Sequence, residues 1–361
     1  NAVAASLPTR PWRPMFRMVC CQEAVPHVDM AVGGHDEVCD RVVQTQSFYF
    51  HMSNFDHFGH TWHDTVLAVY ATIAERNGGT FTDDNLLITN LAAPVEHTLG
   101  RFLPVVQVLS KRKMMSLSQL HALGTVCFRD LTVGVTGRHN YYEGPLTLTP
   151  QMRKVAIGSA MLWRQSLGVN LAPTPRTNIF KLLNRRGGDR PPMRWLPPPT
   201  EEGILAAARR LGLDASTILF EGKTLRQQCE VVADADVLVG VTGCGMHNTW
   251  CMRPDTVVIT ILPYGAAPEM GFEFKNWIDL YPGHYIEFTA GMDESWRQAR
   301  LSEDPNRDLS DPMAMWRRNW LEGLFVFYHQ TPLVVDPQRM HHTIQRAVGL
   351  VGQPTTTSYS E

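Results

Sequence analysis

The chain lacks any apolar run approaching the ~20 residues that a bilayer-spanning helix needs, so none of its 361 residues reads as a membrane span. It has no Cys-x-x-Cys pair, and its seven cysteines, with Cys20 and Cys21 adjacent, match no zinc pattern. They are compatible with one or two disulfides, and the odd count leaves at least one thiol unpaired. No Gly-x-Ser-x-Gly turn is present, which excludes a serine hydrolase built on that elbow. No glycine fingerprint for a dinucleotide occurs in the first hundred residues, which argues against a nicotinamide-dependent oxidoreductase. Charge of both signs is balanced, 33 Lys and Arg against 35 Asp and Glu, so there is no basic footprint for nucleic acid. The one cationic cluster, Lys111-Arg112-Lys113, reads as solvated surface. No Asn-x-Ser/Thr sequon is found. The sequence begins at Asn1, and the expectation is a trimmed ectodomain or catalytic fragment whose targeting segment is out of view.

What is present is an alternation of strand and helix patterns. Residues 1–40, with Pro8, Pro11, Pro14 and Pro26, read as an irregular lead-in. Val42 to Met52 is β-type, Trp62 to Ala74 has apolar residues at helical spacing, and Leu86 to Thr89 is a strand. A helix is expected over Gly100 to Leu109, a strand pair over Thr125 to Val135, and a helix from Gln151 to Leu167. Ala172-Pro173-Thr174-Pro175 punctuates the chain. A second series follows: strand 178–183, helix 201–211, strand 217–220, helix 225–233, strand 237–241 and strand 257–262. Helices over 312–328 and 337–348 close it, Asp311 before Pro312 suiting a helix start. This pattern predicts wound parallel sheets, with domains over 41–171 and 172–300, and C-terminal helices and a tail over 301–361.

The strongest local signal is Ala235-Asp236-Val237-Leu238-Val239-Gly240-Val241-Thr242-Gly243-Cys244-Gly245-Met246-His247-Asn248. It reads as a buried strand, a glycine turn and a helix start. Gly243 and Gly245 admit close approach of a ligand, and the helix N-terminus suits a phosphate; alternatively the glycines only turn strand into helix. A second block, Asn178 to Gly187, ends a strand in Arg185-Arg186. An arginine there can neutralise a diphosphate through bidentate bonds, or make a surface ion pair; Arg185 is the better placed. A third block, Asn54-Phe55-Asp56-His57-Phe58-Gly59-His60-Thr61-Trp62-His63-Asp64, sets His60 and Asp64 four residues apart, on one side of a helix. Asp64 could serve as a general base with His60 orienting or sharing the proton. The same stretch could be an N-cap at Asp56 followed by a polar face, or a metal site, although no recognised ligand spacing occurs.

These blocks resemble the signature of the family-61 glycosyltransferases, whose buried strand and glycine turn run much as 235–248 do, followed here by Pro254 and the strand Val257 to Ile261. Gln228 matches the glutamine of the family's upstream helix, and Leu333-Val334-Val335-Asp336-Pro337 its closing strand and helix. Thr242 and His247 depart from the usual residues. The resemblance implies a GT-B architecture: two Rossmann-like α/β domains facing each other across a cleft, with C-terminal helices. It implies an inverting, metal-independent glycosyltransferase using a UDP-sugar, xylose favoured and GlcNAc next, on a hydroxyl of a glycan or glycoprotein. Donor contacts fall to Arg185, Arg186, Glu221, Gln228, Thr242, Gly243, Gly245, His247 and Asn248, and catalysis to Asp64 or His60. The implied location is the Golgi or endoplasmic reticulum lumen, as the ectodomain of a type II membrane protein. The alternative is a catalytically decayed GT-B fold that binds a nucleotide or glycan.

Overall fold

The computed structural model describes residues 39–52, 59, 61–135, 149–169, 178–185, 194–281, 283–303 and 309–353. Among these residues every strand pairing within the sheets is parallel. The first half contains β1 (Arg41–Val43), β2 (Ser47–Phe50), β3 (Leu86–Thr89), β4 (Met115–Ser116), β5 (Val126–Phe128) and β6 (Leu131–Val133). They make a four-stranded sheet in the order β4-β3-β2-β6 and a two-stranded ladder β1-β5. The single β-run expected over 42–52 is therefore two strands in two sheets, and the expected pair over 125–135 is divided in the same way. The two segments leave the small ladder and enter the larger sheet side by side. Arg129 N–H donates to Val43 O at 3.1 Å and Ser47 N–H to Asp130 O at 2.9 Å. The Cys39–Cys127 disulfide fastens the ladder's outer end.

The second half is one five-stranded sheet. β7 (Ile179–Asn184), β8 (Asp214–Leu219), β9 (Val237–Val241), β10 (Thr256–Leu262) and β11 (Gly283–Thr289) lie in the order β11-β10-β9-β7-β8. Val-Leu-Val-Gly-Val and Thr-Val-Val-Ile-Thr-Ile-Leu are buried along their whole length, as central parallel strands covered on both faces must be. Helices α1 (Ala68–Arg76), α2 (Pro150–Ser166), α3 (Pro198–Arg210), α4 (Leu225–Ala233), α5 (Glu269–Leu280), α6 (Glu294–Glu303), α7 (Pro312–Arg318) and α8 (Pro337–Leu350) accompany the two sheets. Their starts follow from local chemistry: Thr149, Asp311 and Asp336 cap α2, α7 and α8, and Thr224 with Gln227 forms a capping box on α4.

Three further expected elements take another form, and β11, α5 and α6 were not expected from the sequence pattern. The helix expected over Gly100 to Leu109 is a 3-10 turn, Gly100–Phe102, followed by the short helix Leu103–Gln107 with Pro104 in its first turn. The helix expected over 312–328 breaks at Asn319, whose extended backbone (φ −151°, ψ 99°) caps the turn Trp320–Gly323, and the chain continues as a π-helix, Leu324–His329. The closing strand expected at 333–335 is a single antiparallel bridge between Val334 and Gly291.

One hydrophobic core runs through both halves. It includes Phe48, Trp62 and Trp163 from the first and Leu183, Trp250, Val258 and Trp277 from the second. A second core fills the other face of the five-stranded sheet beneath α3 and α8, and a small third one joins Trp316 and Phe327 to Ala267.

Candidate functional site

In the five-stranded sheet the chain runs outward from β7 to β8 in one direction and from β9 to β11 in the other. The strand order therefore reverses between β7 and β9, and the carboxyl ends of strands at such a reversal leave a crevice where open α/β sheets bind ligands. The two segments singled out by sequence lie there. β7 ends at Asn184 and delivers Arg185; β9 ends at Val241 and delivers the glycine turn. A hollow of about 340 Å³ opens between them, bounded by Arg185, Arg194, Glu221, Gln228, Cys244 and Gly245 over an apolar floor of Leu183, Phe220 and Val241. Its size is that of a small-ligand pocket.

The hollow carries two guanidiniums against one carboxylate. Gly243 has φ +140°, and a Cβ there would sit 2.8 Å from Arg194 Nη1 and 2.9 Å from Arg185 Nη2. Both cations thus lie directly against the bare glycine backbone. Asn184 brings them together. Buried at the end of β7, it accepts from Arg185 N–H at 2.8 Å and from Leu196 N–H at 3.0 Å, and its amide donates to Leu196 O and Glu201 Oε2. The returning chain is pinned beside the strand it left. Arg194 itself is held in a left-handed backbone conformation, φ +62°. Its Nη1 donates to Tyr328 Oη at 2.6 Å, its guanidinium lies 4.5 Å from the centre of the Tyr328 ring, and its Nε is buried without a partner among the described residues. Burial first, and the neighbouring Arg194 next, pull the Arg185 guanidinium below its ordinary range. Such a pair is set up to take an anion that offsets both charges.

After Gly243 the chain forms a 3-10 helix, Cys244–Cys251, rather than an ordinary α-helix. Gly245 packs closely: a Cβ would meet the Leu183 Cδ2 methyl at 2.9 Å and the Phe220 ring at 3.4 Å. Gln228 borders the hollow and is braced from both sides. Its amide donates to Lys223 O at 3.0 Å and its carbonyl accepts from Asn248 Nδ2 at 3.3 Å. Asn248 is buried and also donates to Gly245 O, so it steadies the loop and Gln228. The Cys229–Cys251 disulfide ties α4 to the end of the 3-10 helix around this same contact.

Of the residues expected to contact a ligand, Arg185, Glu221, Gln228 and Gly245 line the hollow and Gly243 lies under its two cations. Thr242 does not line it: it is buried, and its hydroxyl donates to Met270 O at 3.3 Å. His247 is buried between Phe274 and Gly59, whose missing Cβ would occupy the imidazole's place. That contact seats Gly59 on the 3-10 helix after β9. Asp64 is half-buried in a π-helical turn, Thr61–Leu67, that precedes α1. Two residues before it, Trp62 packs edge-on against Trp250 of the 3-10 helix at 4.8 Å. His60 and Arg186 lie outside the described residues. Among the described residues no three His, Cys, Asp or Glu side chains gather as a metal site would require.

Arg194 and Tyr328 were not singled out from the sequence. Arg194 follows Arg185 by nine residues with no helical or strand spacing between them, and among the described residues the Asn184 bridge and the bare backbone of Gly243 bring the two together. Tyr328 reaches the site from an irregular helix more than 130 residues further on. No sequence signal short of the folded chain marks either.

Comparison with known proteins adds the following. The family model described as Glycosyltransferase 61 matches residues 58–259. The chain is 22% identical over 331 residues to protein O-linked-mannose β-1,4-N-acetylglucosaminyltransferase 2 of Xenopus laevis, covering 84% of this chain and 55% of that protein. It is 23% identical over 315 residues to the β-1,2-xylosyltransferase XAX1 of Oryza sativa subsp. japonica, covering 83% and 48%. It is 25% identical over 251 residues to the α-1,3-arabinosyltransferase XAT3 of the same plant, covering 65% and 39%. The chain spans about half the length of the curated relatives it matches.

Proposed function

This chain belongs to the glycosyltransferase 61 family, and from that premise we propose that it transfers a sugar from a UDP-sugar to a hydroxyl of a glycan or glycoprotein, with inversion. The observation that carries the reading is the pair of guanidiniums, Arg185 and Arg194, set against Gly243 at the reversal of strand order. A nucleotide diphosphate would occupy the hollow, its charge met by the two arginines and by the N–H groups of the 3-10 turn. The acceptor oxygen attacks the anomeric carbon from the face opposite the diphosphate. The bond from that carbon to the phosphate oxygen breaks, and the diphosphate leaves with the electron pair. The acceptor proton passes to Asp64 as general base. Preorganised cations at the leaving group stabilise the charge that develops there, which is the role a divalent ion would otherwise fill, so a metal-independent reaction is proposed.

The proposed architecture is GT-B, with an acceptor domain over 41–171, a donor domain over 172–300 and C-terminal helices beyond. The approach of Gly59, after β2, to His247, after β9, supports a cleft between them. Two disulfides support folding in an oxidising compartment, hence a lumenal place in the secretory pathway. Xylose is the favoured sugar and GlcNAc the next, in keeping with transferases of both sugars among the relatives.

The test is a panel of UDP-sugars scored by thermal stabilisation, followed by transfer assays with the sugar that binds. Arg185→Ala should weaken donor binding roughly 10- to 100-fold, the equivalent of ~1.5–3 kcal/mol for a charge-assisted contact. Asp64→Asn should leave donor affinity near wild type and cut turnover by roughly 100-fold or more. Undiminished turnover in Asp64→Asn would remove the base assignment. Donor binding with no transfer to any glycan acceptor by the wild-type protein would favour a binding module on the same fold.

A further inference from the structure

The family match ends at residue 259, and Arg194 is held from beyond it. The Asn184–Leu196 hydrogen bonds fix where the backbone of Arg194 runs. They do not fix its guanidinium, which ends a long side chain with several rotatable bonds and lies beside a like charge, Arg185. The contact of Nη1 with Thr242 O, at 3.5 Å, is too long to hold it. Tyr328 supplies the hold. Its phenol oxygen accepts from Arg194 Nη1 at 2.6 Å, and the guanidinium carbon lies 4.5 Å from the ring centre. A hydrogen bond to the hydroxyl and a cation against the ring set a direction as well as a distance. Tyr328 is itself fixed. It is buried on the π-helix Leu324–His329, beside Phe327, whose ring takes the place of a Cβ at Gly265. Trp316 Nε1 donates to Gly265 O at 2.7 Å, and Thr331 Oγ1, just past the π-helix, donates back to Val326 O at 2.8 Å.

We propose that Tyr328 is a positioning residue for donor binding: it holds the Arg194 guanidinium beside Arg185, where the two together receive the diphosphate. The inference rests on the sugar-transfer reading only in taking the anion to be a nucleotide diphosphate. Tyr328 is not among the residues that line the hollow; it acts through Arg194, which is. The two cations repel until an anion offsets both. Released from Tyr328, Arg194 swings away, and the donor meets a population in which only a fraction of chains carry both charges in place. Apparent affinity falls by that fraction. Tyr328 removes that cost before the donor arrives, as a preorganised contact does. It uses one of the several N–H donors of the guanidinium, so others remain for phosphate oxygens. The leaving-group site is thereby completed by an element of the chain that the family model does not reach.

The experiment is a double-substitution cycle read by calorimetric titration of the whole chain with UDP-xylose and with UDP-GlcNAc. Low ionic strength keeps weakened anion binding within range. Tyr328→Phe keeps the ring and removes the hydroxyl, and should weaken donor binding about 10-fold, as loss of a hydrogen bond to a charged group does. Arg194→Met keeps an apolar stem and removes the cation. In that background Tyr328→Phe should change affinity by less than about 2-fold, because the group it positions is gone. Phe325→Ala, an exposed change on the same π-helix, should bind the donor as wild type does. Thermal melts and circular dichroism report whether each variant folds as wild type does. Unchanged affinity in Tyr328→Phe overturns the inference and leaves sugar transfer standing. So does an equal loss from Tyr328→Phe with and without Arg194, or a loss in Phe325→Ala as large as that in Tyr328→Phe, since either means that the arm acts through the fold alone. Failure of wild type to bind either nucleotide removes the diphosphate subsite and, with it, both readings.

Discussion

At the residue scale the site depends on one missing side chain. Gly243 is the point where two like charges are packed against backbone, and its φ of +140° is one that L side chains rarely adopt. Gly243→Ala should cost stability on the order of 1–3 kcal/mol through that strained dihedral. It should also push both guanidinium tips outward, lowering donor affinity at least 10-fold while the chain still folds. Circular dichroism and nucleotide titration of one sample separate the two effects. The sequence showed Gly243, Gly245 and Arg185 plainly, because glycine near a strand end and arginine at the end of another are local signals. It could not show Arg194, since what places Arg194 is a reciprocal pair of hydrogen bonds between Asn184 and Leu196, twelve residues apart. Thr242 and His247 were read as ligand contacts by analogy of position; both are buried, the Thr242 hydroxyl donating to Met270 O and the His247 ring lying against Gly59. His329, half-buried beside Tyr328, gives a test by pH. Its folded value near 4 lies below the ordinary 6.5, so the unfolded chain binds more protons between those values. Stability is full above about pH 7 and declines as the pH falls through that window. Thermal melts from pH 7.5 down to pH 4 should show a smaller loss in His329→Asn than in wild type.

At the scale of elements, the glycine turn is stiffened from outside. The 3-10 helix Cys244–Cys251 has poorer internal hydrogen bonding than an α-helix, and α4 compensates by holding it through the Gln228–Asn248 bond and the Cys229–Cys251 bridge. The bridge closes a loop of 22 residues in sequence separation, worth roughly 3 kcal/mol in the chain-entropy account. Replacing Cys229 and Cys251 together by alanine should lower the melting temperature and weaken donor binding. Elements with a strong period and good caps were legible: α4 and β9 run over the residues the pattern gave, and α2 and α3 differ only at their ends. Elements governed by tertiary contact were not. α5 carries Gly271 and Asn276 among its apolar residues, which dilutes its period, and the arm over 312–329 breaks where Asn319 chooses to cap a new turn.

At the scale of the molecule, alternation of strands and helices foretold parallel sheets, and pairing confirms them in both halves. Strand order was beyond reach of the sequence, because which strand lies beside which is settled by burial of whole faces. It is strand order, however, that puts Arg185 and Gly243 side by side. The halves meet through Trp62, wedged between Trp163 at 5.0 Å and Trp250 at 4.8 Å with no exposed surface. Trp62→Ala should cost roughly 3–5 kcal/mol and should destabilise both halves at once, seen as a single cooperative transition moved to lower denaturant.

That tryptophan joint limits how a substrate can arrive. A hinge between two bodies needs a thin or polar seam to open along, and here the seam is solid hydrocarbon from Phe48 to Trp277. Gross opening and shutting would expose that interior to water with every turnover. For the proposed donor, entry and exit would fall to smaller parts, such as the arm from Pro312 to His329, held by Trp316 and Phe327 at Gly265 and by Tyr328 at Arg194. Exchange into deuterium should find amides of that arm trading protons far sooner than those around Trp62, and slowing once nucleotide is present.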